Sequence, residues 1–314
     1  MAHWEYKEYT YISIVCITYN HSQYICQAID SFLKQRTIYK FNIIIHDDCS
    51  NDETQDILIA YKNKYPNIIK LILQKENQYS KNKKPSKIAI SASDAKYIAL
   101  CEGDDYWIDE LKIDTQVREL ECNDKYKLCF TKASVLKDGL LIEKYDYGKE
   151  KKILNANEFI EIGGGACATN SIVFRKSIMD FMPLWYDAAP VGDAFVQAYG
   201  AIPDGVIYLP INTAVYRFLS NGSWSKRLTT NSKNIYLGLR KLEEYYCYFD
   251  RDTNYKYSHN INLMLGRKYL EAYCLSLKRY DFNRYLLFLI YASIRKLKIN
   301  FFTILYKIIM DFLK

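Results

Sequence analysis

The spacing of apolar positions changes along this chain. Ile12–Ile17, Phe41–Ile45, Ile68–Leu73 and Tyr97–Cys101 are short, nearly continuous apolar runs. Such runs mark strands covered on both faces, as in a parallel sheet. After the first run, Tyr24, Ile25, Ala28, Ile29, Phe32 and Leu33 recur at helical spacing, with Ser22 placed to cap. Ser50 followed by Glu53 has the capping-box pattern, and Ile57, Ala60 and Tyr61 continue a helix. A lysine-rich loop, Gln74–Lys84, precedes Pro85, which opens a short helix to about Ser93; another helical segment opens near Asp109. The alternation reads βαβαβαβ. It predicts an α/β fold, a mostly parallel sheet with helices on both faces.

From about Leu228 the pattern is helical. Ile235, Leu237, Leu239, Leu242 and Tyr246 predict one helix and Ile261–Leu277 another. Arg284–Lys314 alternates apolar blocks with Arg295, Lys296, Lys298 and Lys307. The chain therefore divides at this level into an α/β domain, 1–227, and a helical C-terminal region, 228–314. The uncharged runs Tyr285–Ile294 and Ile299–Tyr306 fall short of the ~18 residues a spanning helix needs. A basic, apolar helix over 284–314 either lies in the headgroup interface as a peripheral membrane contact or packs on protein, its own domain or a homodimer partner.

Composition narrows the partners. With 314 residues, 49% hydrophobic and 25% charged, the chain can bury a sizeable core. A net charge of +7 is modest for a nucleic-acid binder, and no zinc-finger or RNA-recognition signature accompanies it, so nucleic acid is not expected. A basic surface suits phosphorylated ligands or anionic lipid. Nine cysteines occur without a Cys-x-x-Cys pair, several inside apolar runs, where a free thiol acts as a small hydrophobe. Reduced thiols, and a Met1–Thr10 segment without the apolar core of a signal peptide, point to the cytoplasm, free or at the inner face of the membrane.

Candidate chemistry gathers where strands end, the side on which parallel sheets bind ligands. Thr18-Tyr19-Asn20, Asp47-Asp48 and Asp104-Asp105 each follow an apolar run. Adjacent carboxylates at the end of a buried strand repel each other and are costly to desolvate, unless a divalent cation sits there. Hard oxygen ligands suit Mg²⁺ or Mn²⁺. No Gly-x-Gly-x-x-Gly follows the first strand and no Gly-Lys-Ser/Thr loop occurs. Phosphate is then expected to be held by a metal, not by a glycine cradle.

At these residues the chain resembles a known family. Ser13–Asn20, Ile43–Thr54 and Tyr97–Trp107 are similar to segments of the family 2 glycosyltransferases, inverting enzymes with the GT-A fold. Glu-Gly-Asp-Asp-Tyr-Trp, ending at Trp107, resembles that family's metal-binding Asp-x-Asp-type element in the form found in bacterial surface-polysaccharide enzymes. The likeness covers roughly Tyr11–Ser225 and makes 1–227 a GT-A catalytic domain. It implies that Thr18, Tyr19 and Asn20 line a nucleotide pocket and that Asp48 accepts a hydrogen bond from the base. It also implies that Asp105 ligates Mn²⁺ or Mg²⁺ while Asp104 faces the donor sugar or ribose. The metal would neutralise charge on the departing diphosphate.

Inverting transfer needs a base for the acceptor hydroxyl. Pro190–Phe195 resembles the element that supplies it, which makes Asp193 the catalytic candidate and Asp187 the fallback. Val215-Tyr216-Arg217 and Gly222-Ser223-Trp224-Ser225 resemble a segment that closes over the diphosphate, placing Arg217 at phosphate. Phe218-Leu219 stands where many relatives have a His. Trp107 and Trp224 are candidates to stack on a sugar, Lys87 to touch phosphate, and His21 and His46 read as structural. The donor implied is a nucleotide-diphosphate sugar, with a UDP-sugar favoured, and the acceptor a glycan or lipid-linked hydroxyl in surface-polysaccharide synthesis. Two other readings remain at this level. A sugar-phosphate nucleotidyltransferase would show a glycine- and lysine-rich loop after strand one, which is absent. A catalytically silent sugar- or nucleotide-binding scaffold would not need Asp48, Asp105 and Asp193 together.

Overall fold

The computed structural model describes residues 4–218, 231–279, 281 and 283–297. Gly222–Ser225, with Trp224, and everything beyond Leu297 lie outside them. The chain clusters into two compact units: Met1–Phe159, Gly164–Ala188 and Gly192–Ser220 form the first, and Ile160–Gly163, Ala189–Val191 and Asn221–Lys314 the second.

The first unit begins as the apolar runs predict. Strands β1 (Ile12–Thr18), β2 (Phe41–Asp47), β3 (Ile69–Leu73) and β4 (Tyr97–Glu102) alternate with helices α1 (Ile25–Leu33), α2 (Thr54–Lys64) and α3 (Pro85–Ser91). β3, β2, β1 and β4 lie side by side, all parallel. Ile12, Ile14, Val15, Ile43, Ile44, Ile45, Ile98 and Ala99 are fully buried, as strands covered on both faces must be.

The rest of the sheet is mixed. Next come β5 (Tyr106–Trp107), α4 (Lys112–Glu121), β6 (Leu128–Lys137), β7 (Leu140–Lys144), β8 (Lys152–Leu154) and α5 (Ala156–Ile162). β9 (Ile172–Arg175), α6 (Gly192–Ala201) and β10 (Val206–Arg217) complete it. The strand order is β3-β2-β1-β4-β9-β6-β10-β5, with β7 on β6 and β8 on β10. β9 runs antiparallel to both β4 and β6, whereas β10 is parallel to β6. The β10–β6 register shifts between Leu209 and Ala214, where Pro210 has no N–H to give the ladder. Beyond that bulge Ala214 and Val215 pair with Trp107 and Tyr106, which carries Arg217 to the end of β4.

Two predicted caps do not form. Ser22 precedes a turn, and α1 starts at Ile25 without a side-chain cap; the Ser22 N–H instead donates to Asp52. Ser50 gives its N–H and its hydroxyl proton to the Asp47 carboxylate, so no capping box closes on α2. The Ser50 Oγ instead accepts the Asn20 N–H, and α2 begins only at Thr54.

The second unit is helical: α7 (Ser232–Asp252), α8 (Ser258–Lys278) and α9 (Arg284–Leu297). Tyr269, Ala272 and Leu289 are buried among Ile235, Tyr236 and Leu239. Leu287 and Tyr291 on α9 are exposed, at 68% and 66%. Among the described residues no helix is long and apolar enough to cross a membrane. All nine cysteines are free thiols.

Candidate active site

The site forms where β1 and β4 end. The Gly103 N–H donates to the Ile17 carbonyl at 2.9 Å, and the Asp105 N–H to the Glu102 carbonyl at 3.0 Å, closing a tight turn that carries both aspartates. A Cβ at position 103 would lie 2.7 Å from Thr18 Oγ1 and 3.0 Å from His21 Nδ1. Only glycine lets the two strand ends approach this closely.

Carboxylate oxygens of Glu102, Asp104 and Asp105 all lie within 4.8 Å of one another. Asp104 and Asp105 are buried. Burial, then the charges of Asp104 and Glu102, push the Asp105 carboxyl well above the ordinary carboxylate range, and Arg217 pulls back without prevailing. Crowding by protein atoms, then the charges of Asp104 and Asp193, raises Glu102 to about 8. Glu102 as a residue reaches solvent, so the neighbouring charges are its firmer cause. The guanidinium of Arg217 turns to the Asp104 carbonyl and to Gln27 Oε1, between the rings of Tyr24 (5.0 Å) and Tyr106 (4.6 Å). It does not balance the three acids. Hard oxygen donors so arranged fit Mg²⁺ or Mn²⁺.

Asp105 is held at both oxygens. Oδ1 accepts the Arg217 N–H at 2.8 Å and Oδ2 accepts Asn170 Nδ2 at 3.1 Å. His21 Nε2 lies 3.9 Å from Asp104 Oδ2. Burial lowers its pKa even against Asp104, Asp52 and Asp47, which favours a neutral ring. Thr18 is buried beside it, its hydroxyl without a hydrogen-bond partner among the described residues.

Other expected residues meet the structure differently. Tyr19 is exposed at the rim. Asn20, at φ 57°, clasps the loop after β2: its N–H donates to Ser50 Oγ and its Oδ1 accepts the Asn51 N–H. Asp48 accepts the N–H groups of Gln78 and Tyr79 at 2.7 and 3.0 Å, so its carboxylate anchors the lysine-rich loop. Trp107 does not face the site. It is 4% exposed, packs edge-on to Phe32 and gives its indole N–H to the Asn170 carbonyl. An aromatic at a strand end has the same letter whether it stacks outward or fills the core. Lys87 pairs with Asp187 at 2.6 Å in an exposed ion pair.

Asp193 sits in the first turn of α6. Its Oδ2 accepts the Thr169 hydroxyl at 2.6 Å, and its charge contributes to the raised pKa of Glu102. The structure thus brings Asp104, Asp105, Asp193 and Arg217 together. Sequence reasoning overlooked Glu102, Thr169 and Asn170. Glu102 was legible as a third acid beside the pair, but the Thr-Asn-Ser step before β9 carries no local signal.

The family model of glycosyl transferase family 2 matches residues 13–181. The chain belongs to this family. The chain is similar to an uncharacterized protein of Mycobacterium tuberculosis, 32% identical over 228 residues, which are 71% of this chain and 63% of that one. The chain therefore spans less than two thirds of that relative. Another is the UDP-Glc:alpha-D-GlcNAc-diphosphoundecaprenol beta-1,3-glucosyltransferase WfaP of Escherichia coli, 28% identical over 50% of this chain and 59% of that protein. Among solved structures, Staphylococcus aureus TarS in complex with UDP-GlcNAc superposes with a TM-score of 0.57 at 14% identity, covering 91% of this chain and 89% of that one. The α/β sheet of the first unit is thus the GT-A fold, followed by C-terminal helices.

Proposed function

We propose that this chain is a metal-assisted, inverting glycosyltransferase. It takes the sugar of a nucleotide-diphosphate donor, a UDP-sugar, to a hydroxyl of a glycan or lipid-linked acceptor in bacterial surface-polysaccharide synthesis. The observation that carries the reading is the gathering of Glu102, Asp104 and Asp105 with Asp193 at the carboxyl ends of the strands. TarS, named a poly(ribitol-phosphate) beta-N-acetylglucosaminyltransferase, and WfaP support the donor and acceptor classes.

Asp105, with Asp104 and Glu102 near it, would hold Mn²⁺ or Mg²⁺, which supplies Lewis-acid neutralisation of the leaving diphosphate. Thr18 and Tyr19 border the nucleotide, and Arg217 adds positive charge at the same edge. Asp48 keeps one further lone pair on each oxygen for a base N–H. Asp193, oriented by Thr169, takes the acceptor proton as the new glycosidic bond forms on the face opposite the leaving group. Family membership weighs against nucleotidyl transfer.

The test is a thermal-shift screen of UDP-, GDP-, CDP- and dTDP-sugars with and without Mn²⁺. A donor at 100 times its dissociation constant should add about 2.7 kcal/mol, only with Mn²⁺, and Asp105→Ala should abolish the shift. Asp193→Asn should keep the shift and lose turnover by roughly 10²–10⁴. A shift with a nucleotide sugar but no turnover by the wild type would instead favour the silent scaffold, and no shift with any of them would remove the main support of the transferase reading.

A further inference from the structure

A short 3₁₀ turn, Thr169–Ser171, leads into β9 and is built with unusual polarity for its depth. Asn170 and Ser171 are fully buried. The Thr169 hydroxyl donates to Asp193 Oδ2 at 2.6 Å. Asn170 Nδ2 donates to Asp105 Oδ2 at 3.1 Å and to the Val215 carbonyl at 2.9 Å. Consecutive side chains thus grip the two carboxylates to which the glycosyltransferase reading gives different roles.

The turn is itself anchored from behind. The Trp107 indole N–H donates to the Asn170 carbonyl at 2.8 Å. Gln116 Nε2 donates to the carbonyls of Ser171 and Cys129, each at 2.9 Å, and Gln116 Oε1 accepts Lys112 Nζ at 2.7 Å. That buried ammonium lies 4.6 Å over the Trp107 ring. A fully buried amide is costly to place, and Asn170 Oδ1 has no donor among the described residues. Packing alone would favour an apolar side chain here. A carboxylate that must meet a cation at a fixed angle, by contrast, gains from a donor that locks its rotation.

We propose that Asn170 and Thr169 are positioning residues. Asn170 fixes the face Asp105 turns to the cation, and Thr169 fixes the face Asp193 turns to the acceptor hydroxyl. One buried turn then sets the placement of both. This rests on the glycosyltransferase reading.

The full chain and its variants are titrated with Mn²⁺ alone, free ion being counted by electron paramagnetic resonance, and kcat and KM for the donor are measured separately. Asn170→Ala should loosen Mn²⁺ by about 10–100-fold. Thr169→Val, which keeps the shape and removes the hydroxyl, should leave Mn²⁺ affinity and donor KM unchanged and lower kcat by about 10–100-fold. Thr169→Ser should restore most of that kcat. If Asn170→Ala does not fold, Asn170→Ser decides by the same titration. Wild-type Mn²⁺ affinity in the folded Asn170 variant, or Mn²⁺ loosened equally by Thr169→Val, overturns the proposal while leaving the transferase reading intact. A wild-type chain that takes up no Mn²⁺ removes both.

Discussion

Gly103 shows how closely the chemistry depends on one missing methyl group. Its place between Thr18 and His21 brings Asp104 and Asp105 against the end of β1. In Gly103→Ala the new Cβ would meet the Thr18 side chain at 2.7–2.8 Å, a distance real structures do not hold, so the strand ends must part. We expect a loss of about 1–3 kcal/mol in denaturant unfolding, and weaker Mn²⁺ binding because the acid turn shifts with it. A variant with wild-type midpoint and wild-type Mn²⁺ affinity would show that this contact is soft. The aspartates were legible in sequence because an apolar run stops abruptly in Gly-Asp-Asp. Asn170 was not, since 65 positions separate it from the Asp105 it holds and no local pattern records that pairing. Asn20 and Asp48 were placed at the correct strand ends, but the bonds they make to Asn51, Gln78 and Tyr79 depend on loop geometry that periodicity does not encode.

Elements differ in the same way. β1 to β4 were readable because each is a buried apolar run with a helix between, and parallel order follows from that alternation. β9 has four residues, and β10 carries Pro210, Asn212 and Thr213 through its bulge, so neither resembles a buried strand in isolation. In the helical unit, the apolar spacing located α7 and α8, while their polar tie stayed hidden. Glu243 accepts Lys296 Nζ at 2.7 Å, Tyr269 OH at 2.8 Å and Arg240 Nη1 at 2.9 Å. Burial would raise its pKa, but the hydrogen bonds from Lys296 and Tyr269 hold it below the ordinary value. A depressed carboxylate stabilises the fold above its unfolded pKa, and that stability is lost as pH falls through the folded value. Glu243→Ala leaves Lys296 and Tyr269 without this acceptor and should cost about 1–3 kcal/mol near neutral pH, and less as pH falls below the ordinary carboxylate value of 4.5. Helical circular dichroism during thermal unfolding reads it; an equal cost at both pH values would mean packing, not charge, is what the side chain contributes.

For the whole molecule, the ionisable groups the fold hides govern how stability moves with pH. Burial brings the Lys112 ammonium down to about 7, against the opposing influence of Cys101, Cys129 and Asp109. Burial raises the thiols of Cys16, Cys101 and Cys167 well above their ordinary value, and that of Cys129 to about 12. These act in opposite senses. Between about 7 and its ordinary 10.5, an unfolded Lys112 carries a proton the folded one has released, so its contribution to stability climbs with pH. Below about 7 both states are protonated and the contribution is flat and at its least favourable. A raised thiol contributes fully below its unfolded value and loses that contribution as pH rises towards the folded one. Lys112→Met isolates the lysine, because the thiols and the acid cluster titrate in both proteins and largely cancel in the difference. At pH 6 the variant should be the more stable by a few kcal/mol, with the gap closing at roughly 1.4 kcal/mol per pH unit above 7. Denaturant unfolding of both proteins from pH 6 to 10 measures it. A gap that stays constant across that range would mean Lys112 keeps its proton throughout. The Trp107 face at 4.6 Å and the Gln116 carbonyl at 2.7 Å would then outweigh its burial, and the anchor behind the Thr169–Ser171 turn would be a cation at every working pH.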